Sequence, residues 1–179
     1  MIYLDYQATT PLAPEAREAM VRWLGGPESD SFGNPSSAHR MGRMARAAVE
    51  VAREQVAALL PPGGRVIFTS GATEALNLAI RGTSGEAPVA FSAIEHSAVG
   101  DTARAAGPVH VIPVDGKGLS DPAAALPDGT RLVAVMQVNN EIGTIQSLAD
   151  WSERARAAGA LFLVDAVQAY GKLPLAEAD

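Results

Sequence analysis

A three-layer α/β/α fold, with helices on both faces of a mostly parallel sheet, is predicted from three features of the sequence. From residue 65 onward, short β-rich runs alternate with helical patterns. Several of those runs are apolar on both faces, as strands covered by helices on each side must be. The 179 residues are 47% hydrophobic, enough to bury one sizeable core.

Residues 1–13 read as an N-terminal arm, ending in Thr9-Thr10-Pro11 and Pro14. From Pro14 to Leu24 the apolar positions Ala16, Ala19, Met20, Trp23 and Leu24 share one helical face, with proline in the first turn and Gly25-Gly26 at the end. Residues 25–37 are rich in Gly, Pro, Asn and Ser and form a loop. A longer helix is expected from Ser37 to Leu60, with Met41, Ala45, Ala48, Ala52, Val56 and Leu59 on its buried side and Pro61-Pro62 as the stop. Strands are expected at Arg65–Thr69, Pro88–Ser92, Val109–Val114, Leu132–Val138 and Leu161–Val164. Helices are expected between most of them, at Glu74–Arg81, Ser97–Ala106 and Ser147–Ala158. Ser147 and Asp150 have capping-box spacing, and Gly159 stands where a helix C-terminus takes glycine.

Charge and composition exclude several classes of function. Twenty acidic residues against 14 basic ones give a net charge of −6, without the basic footprint of a general nucleic-acid or membrane-surface binder. No run is long and apolar enough to span a bilayer, and the N-terminus lacks a leader pattern, so a cytoplasmic protein is expected. There is no cysteine, hence no disulfide, thiolate metal site or cysteine nucleophile in these residues. The three histidines are scattered, and no metal site is expected. Only Lys117 and Lys172 could supply a lysine amine.

In an open parallel sheet, ligands bind beyond the carboxyl ends of the strands. Thr69-Ser70-Gly71-Ala72-Thr73-Glu74 follows the first expected strand and opens a helix. It reads either as a phosphate cradle of free N–H groups and the Thr73 hydroxyl, or as an ordinary turn capped by Ser or Thr. Glu95 and His96 follow the second strand, His96 being an acid–base group, a lid on a planar ligand or a cap. Asn139-Asn140-Glu141 follows the fourth, as ligand contacts or as a turn bonded to its own backbone. Asp165 and Gln168 follow the fifth; a carboxylate beside a dry core needs a partner, and a capping role is the simpler alternative. Polar groups at four strand ends converge on one edge of the sheet and favour a ligand pocket.

In this order the residues resemble the cysteine desulfurases of the class V aminotransferase family. The match runs from Tyr3-Leu4-Asp5-Tyr6-Gln7-Ala8-Thr9-Thr10-Pro11 through Phe32-Gly33-Asn34-Pro35-Ser36-Ser37-Ala38-His39 and the strand-end motifs to Gly171-Lys172-Leu173-Pro174. The Phe-Gly-Asn-Pro-Ser-Ser segment is similar to the iron–sulfur cluster assembly branch. The resemblance implies a pyridoxal 5'-phosphate (PLP) transferase of fold type I that converts L-cysteine to L-alanine and passes the sulfur to an acceptor or cluster scaffold protein. It further implies a homodimer at full length. By resemblance, residues 1–13 belong to the family's small domain and 14–179 are the N-terminal portion of an incomplete large domain. Ala72 and Thr73 would hold the phosphate, and His96 would stack on the ring and move protons. Asn139 and Gln168 would face the ring oxygen, and Asp165 would pair with the ring nitrogen. The family's Schiff-base lysine lies in a Ser-x-His-Lys motif that neither Lys117 nor Lys172 matches, and its sulfur-accepting cysteine is also absent. The expectation is therefore an N-terminal part that is inactive alone. The alternatives are a truncated, non-catalytic relative that binds PLP or a partner, and another class V enzyme, an aminotransferase or a selenocysteine lyase.

Overall fold

A computed structural model describes residues 2–175, and the chain divides into two compact units, Met1–Val66 and Ile67–Asp179. The first holds α1 (Pro14–Val21) and α2 (Arg40–Ala57). Proline opens α1, as its fixed φ allows. His39 caps α2, its Nδ1 accepting from the Gly42 N–H at 3.3 Å. The Asn34–Ser37 segment folds against the start of α2: the Arg46 guanidinium donates to the Pro35 carbonyl at 2.8 Å, and the Asn34 side chain accepts from the Ser36 N–H at 2.9 Å. A Cβ on Gly42 would lie 2.3 Å from the Ser37 carbonyl oxygen, so only glycine permits this approach. The buried stripe expected along α2 is corrected. Of its six residues only Ala45 is buried, while Ala52 and Leu59 are exposed, because this unit supplies no layer of its own to cover them.

The second unit is built as α3 (Ala72–Ser84), β1 (Val89–Ser92), α4 (Ser97–Ala106), β2 (Val109–Ile112), β3 (Leu132–Ala134), α5 (Leu148–Ala157) and β4 (Leu161–Leu163). The four strands are parallel in the order β2-β1-β3-β4, with Phe91 opposite Ala134 and Ala134 opposite Leu163. Alternation along each strand makes the layers. Val89, Phe91, Leu132 and Ala134 pack under α3 and α4 with Leu76, Ile80 and Val99. Ala90, Val133 and Val135 face the other way, onto Trp151 and Ala155 of α5. The α/β/α expectation holds. Among the described residues no helix is long and apolar enough to cross a membrane.

One expected strand is absent: residues 65–69 form no ladder. The Val66 carbonyl accepts from the Arg53 guanidinium at 2.5 Å, and Ile67 stays 71% exposed. β-propensity reflects fit to a neighbouring strand, and no strand of the sheet runs beside this segment. The capping box on α5 does not form either, since the Ser147 hydroxyl bonds the Asp150 carboxylate instead of a backbone N–H. The far end of α5 does follow the sequence. Gly159 takes φ +68°, and the N–H groups of Gly159 and Ala160 close on the carbonyls of Arg156 and Ala155.

Trp151 is fully buried, and its indole N–H donates to the Ser120 hydroxyl at 2.8 Å. That hydroxyl in turn donates to Gln146 Oε1, whose Nε2 donates to the Gly118 carbonyl. The network ties the 115–120 turn to the 137–146 loop. Trp151→Ala is expected to cost about 3–5 kcal/mol in urea unfolding. A loss below about 1 kcal/mol would mean that α5 is not docked on this face.

Candidate functional site

The geometry of α3 places its N-terminus at the carboxyl edge of the sheet. Its C-terminal end sits at the opposite edge: Arg131, just before β3, donates to the Thr83 carbonyl, and the Arg131 N–H to that of Pro88, just before β1. Thirteen residues at about 1.5 Å each carry the helix back along the strands to their far end. There Gly71 caps α3 without a side-chain bond, so the capping alternative at this turn is not realised. Glu74 Oε2 instead accepts from the Ser70 N–H at 2.6 Å, which holds the Glu74 carboxyl below its ordinary range. The first intrahelical N–H bond from this turn is that of Ala75 to the Gly71 carbonyl, which leaves the N–H groups of Ala72, Thr73 and Glu74 facing outward. Ala72 and Thr73 are both exposed.

Three strand ends meet beside this helix start. Beyond β1, Ile94, Glu95, His96 and Ser97 form one wall of a cleft of about 440 Å³, and Asn139, Asn140, Glu141 and Ile142 form the other. His96 caps α4 by accepting the Ala98 N–H on Nδ1 at 3.1 Å, which leaves the hydrogen on Nε2, facing away from the helix. The two walls are bonded across: Asn139 Nδ2 donates to the Ile94 carbonyl at 2.9 Å and to Met136 Sδ at 3.4 Å. Asn139 Oδ1 accepts from the N–H groups of Glu141 and Ile142 at 2.8 and 2.9 Å. Both readings of Asn139 thus share one side chain, which stands at the cleft and bonds its own loop.

Asp165 lies just past β4 and is 8% exposed. Its Oδ1 accepts from the Val167 N–H at 3.0 Å, and its carbonyl accepts from the Gln137 N–H at 2.9 Å. Among the described residues no Lys, Arg or His forms an ion pair with it. Gln168 sits on the following turn, where its Oε1 accepts from Lys172 Nζ at 3.1 Å. Ala72, Thr73, Asp165 and Gln168 share the sheet edge with the cleft but do not line it. No group of three or more His, Cys, Asp or Glu side chains among the described residues could hold a metal ion.

Sequence reasoning passed over Glu95. Its Oε1 accepts from the Met136 N–H at 2.6 Å, and its Oε2 is buried without a partner. Burial pushes the carboxyl up to about 8, the Met136 bond opposing and the charge of Asp165 adding to the rise. An acidic residue three positions past the fully buried run Val89–Ser92 was the available signal.

Comparison with known proteins decides the family. The aminotransferase class-V model matches residues 2–178. The chain belongs to the class V aminotransferase family. Within it, the chain is 43% identical over 188 positions to cysteine desulfurase IscS of Cronobacter sakazakii, covering 97% of this chain and 46% of that protein. The same values hold for the IscS of Klebsiella pneumoniae. The chain thus spans about half the length of the curated relatives it matches. Among solved structures it is similar to a NifS-like protein (TM-score 0.87, 32% identity, 99% of this chain and 52% of that one). It is also similar to SspA in complex with cysteine (TM-score 0.83, 33% identity, 97% of this chain and 52% of that one).

Proposed function

We propose that this class V chain is part of a PLP-dependent cysteine desulfurase that converts L-cysteine to L-alanine and hands the sulfur to an acceptor in iron–sulfur cluster assembly. The observation that carries the reading is the pairing, at one sheet edge, of a helix start without a side-chain cap and a buried carboxylate that forms no ion pair among the described residues. That donor set fits the two ends of PLP. Outward N–H groups at 72–74 and the Thr73 hydroxyl suit a phosphate, and Asp165 suits a protonated ring nitrogen. When bound, PLP supplies an electron sink for the substrate's α-carbon.

The chain's own residues then have separable tasks. Ala72 and Thr73 bind the phosphate through main-chain N–H groups and the hydroxyl. Asp165, fixed by the Val167 N–H, holds a positive charge on the ring nitrogen. His96, anchored through Nδ1, would present its Nε2–H to the bound group and serve in proton transfer there. Asn139 and Gln168 orient the ring oxygen side, and for Asn139 the weak bond to Met136 Sδ is the one most cheaply exchanged. On this reading residues 1–13 belong to the small domain, 14–179 open the large domain, and the working enzyme is a cytoplasmic homodimer.

The test is direct. The full-length protein, given PLP and L-cysteine, is expected to release alanine and sulfide in equal amounts under reducing conditions; alanine without sulfide, or neither, overturns the reading. The 179-residue chain tests the division of labour. Imine-forming lysines need amines withdrawn from water, and both Lys117 and Lys172 are exposed. Borohydride treatment with PLP is expected to leave no stoichiometric adduct by mass spectrometry. Quantitative labelling of Lys172 would show that this lysine supplies the covalent step.

A further inference from the structure

We infer that Glu95 is a positioning residue: its carboxyl ties the turn after β1 to the backbone just past β3, setting His96 and Asn139 at fixed spacing from Asp165. The roles of His96, Asn139 and Asp165 rest on the proposed function, whereas the tie itself does not. The parallel ladder between β1 and β3 ends at Phe91 and Ala134. Past that point the two chains diverge to form opposite walls of the cleft, and two side-chain bonds span them. Glu95 Oε1 accepts the Met136 N–H, and Asn139 Nδ2 donates to the Ile94 carbonyl. The next N–H along, that of Gln137, is committed to the Asp165 carbonyl. Met136 and Gln137 are therefore a two-residue beam with Glu95 on one side and Asp165 on the other.

The beam explains why a carboxyl is buried here. Without Glu95, the buried Met136 N–H has no strand partner on the β1 side, and an unpaired buried donor is costly. The titratable groups around Glu95 are His96 on its own turn, Asp165 past β4 and Glu141 across the cleft; no Lys or Arg lines that cleft among the described residues. In this surrounding burial holds the Glu95 carboxyl neutral near pH 7. A neutral Glu95 also lowers the negative field that an anionic ligand meets at the same edge.

The experiment is backbone amide NMR on the 179-residue chain, following Met136 across pH 5 to 9. The Met136 amide shift is expected to titrate with a midpoint near 8 in the native chain and to stay flat in Glu95→Gln, whose amide oxygen accepts the same bond. Hydrogen exchange at Met136 is expected to speed up at least tenfold in Glu95→Ala, with β3 amides such as Val133 unchanged, and to return to the native rate in Glu95→Gln. A flat native titration, or exchange that rises equally at Met136 and Val133 in Glu95→Ala, overturns the tie. Should Glu95→Ala fail to fold, the native and Glu95→Gln titrations decide alone. Desulfuration measured on the full-length protein separates the two ideas: turnover with a silent Met136 removes the tie, and a titrating Met136 without turnover removes the proposed function.

Discussion

Asp165→Ala in the full-length protein is expected to lower L-cysteine turnover by at least about 10²–10³-fold, the scale seen when one preorganised electrostatic partner is lost. Asp165 is a carboxyl 8% exposed beside β4, and a buried polar group needs a partner; no Lys, Arg or His among the described residues forms an ion pair with it. A protonated ring nitrogen would meet that need, and the carboxylate in return would hold the proton that makes the ring an electron sink. Asp165→Asn separates charge from shape. The amide can still accept the Val167 N–H, so the turn is preserved, yet it lacks the charge; equal inactivity in Asn and Ala variants is the expected pattern. Thermal unfolding and cofactor absorbance accompany the assay, so that a misfolded or empty variant is not read as a chemical effect. Near-normal turnover in a folded, PLP-loaded Asp165→Asn protein would sink the assignment of Asp165.

Which parts of this could be read from the sequence follows from how local each signal is. The β1 and β3 runs were legible because burial on both faces leaves an unbroken apolar stretch, and the stop of α5 was legible because the left-handed residue just past it, Gly159, is a backbone requirement. The run at 65–69 misled because strand character depends on a neighbour, which no window of residues contains. The stripe on α2 misled for the same reason: periodicity identifies an apolar face without saying what covers it. At the site, strand-end positions pointed to His96, Asn139 and Asp165, because polar residues after apolar runs are exceptional. Glu95 carried the same mark but stood beside a histidine, whose chemistry drew the attention. Its partner, Met136, is 41 residues away and bonds through its backbone, so no residue identity signals the contact.

Glu95 also sets how the stability of this chain responds to pH. Its carboxyl is raised from 4.5 to about 8 in the folded chain, first by burial, with the Asp165 charge adding and the Met136 N–H opposing. Between those values the native state holds a proton that the unfolded chain releases. Stability is therefore full below about pH 4.5 and falls as pH rises toward 8. At about 1.36 kcal/mol per unit, a rise of about 3.5 units amounts to at most about 5 kcal/mol. Glu74 and Asp115 act in another window. Their carboxyls are lowered by hydrogen bonds, from Ser70 to Glu74 and from the Leu119 and Lys117 N–H groups to Asp115, so their contributions are lost only as pH falls below the ordinary carboxylate range. Urea unfolding at unit steps from pH 5 to 9 is expected to show a declining midpoint in the native chain and a nearly level one in Glu95→Gln. The variant matches the native chain near pH 5 and exceeds it at pH 9, because an amide bonds Met136 without ever becoming a buried charge. Parallel curves for the two proteins would mean that Glu95 releases its proton without cost, and that water reaches the orphan oxygen at the beam.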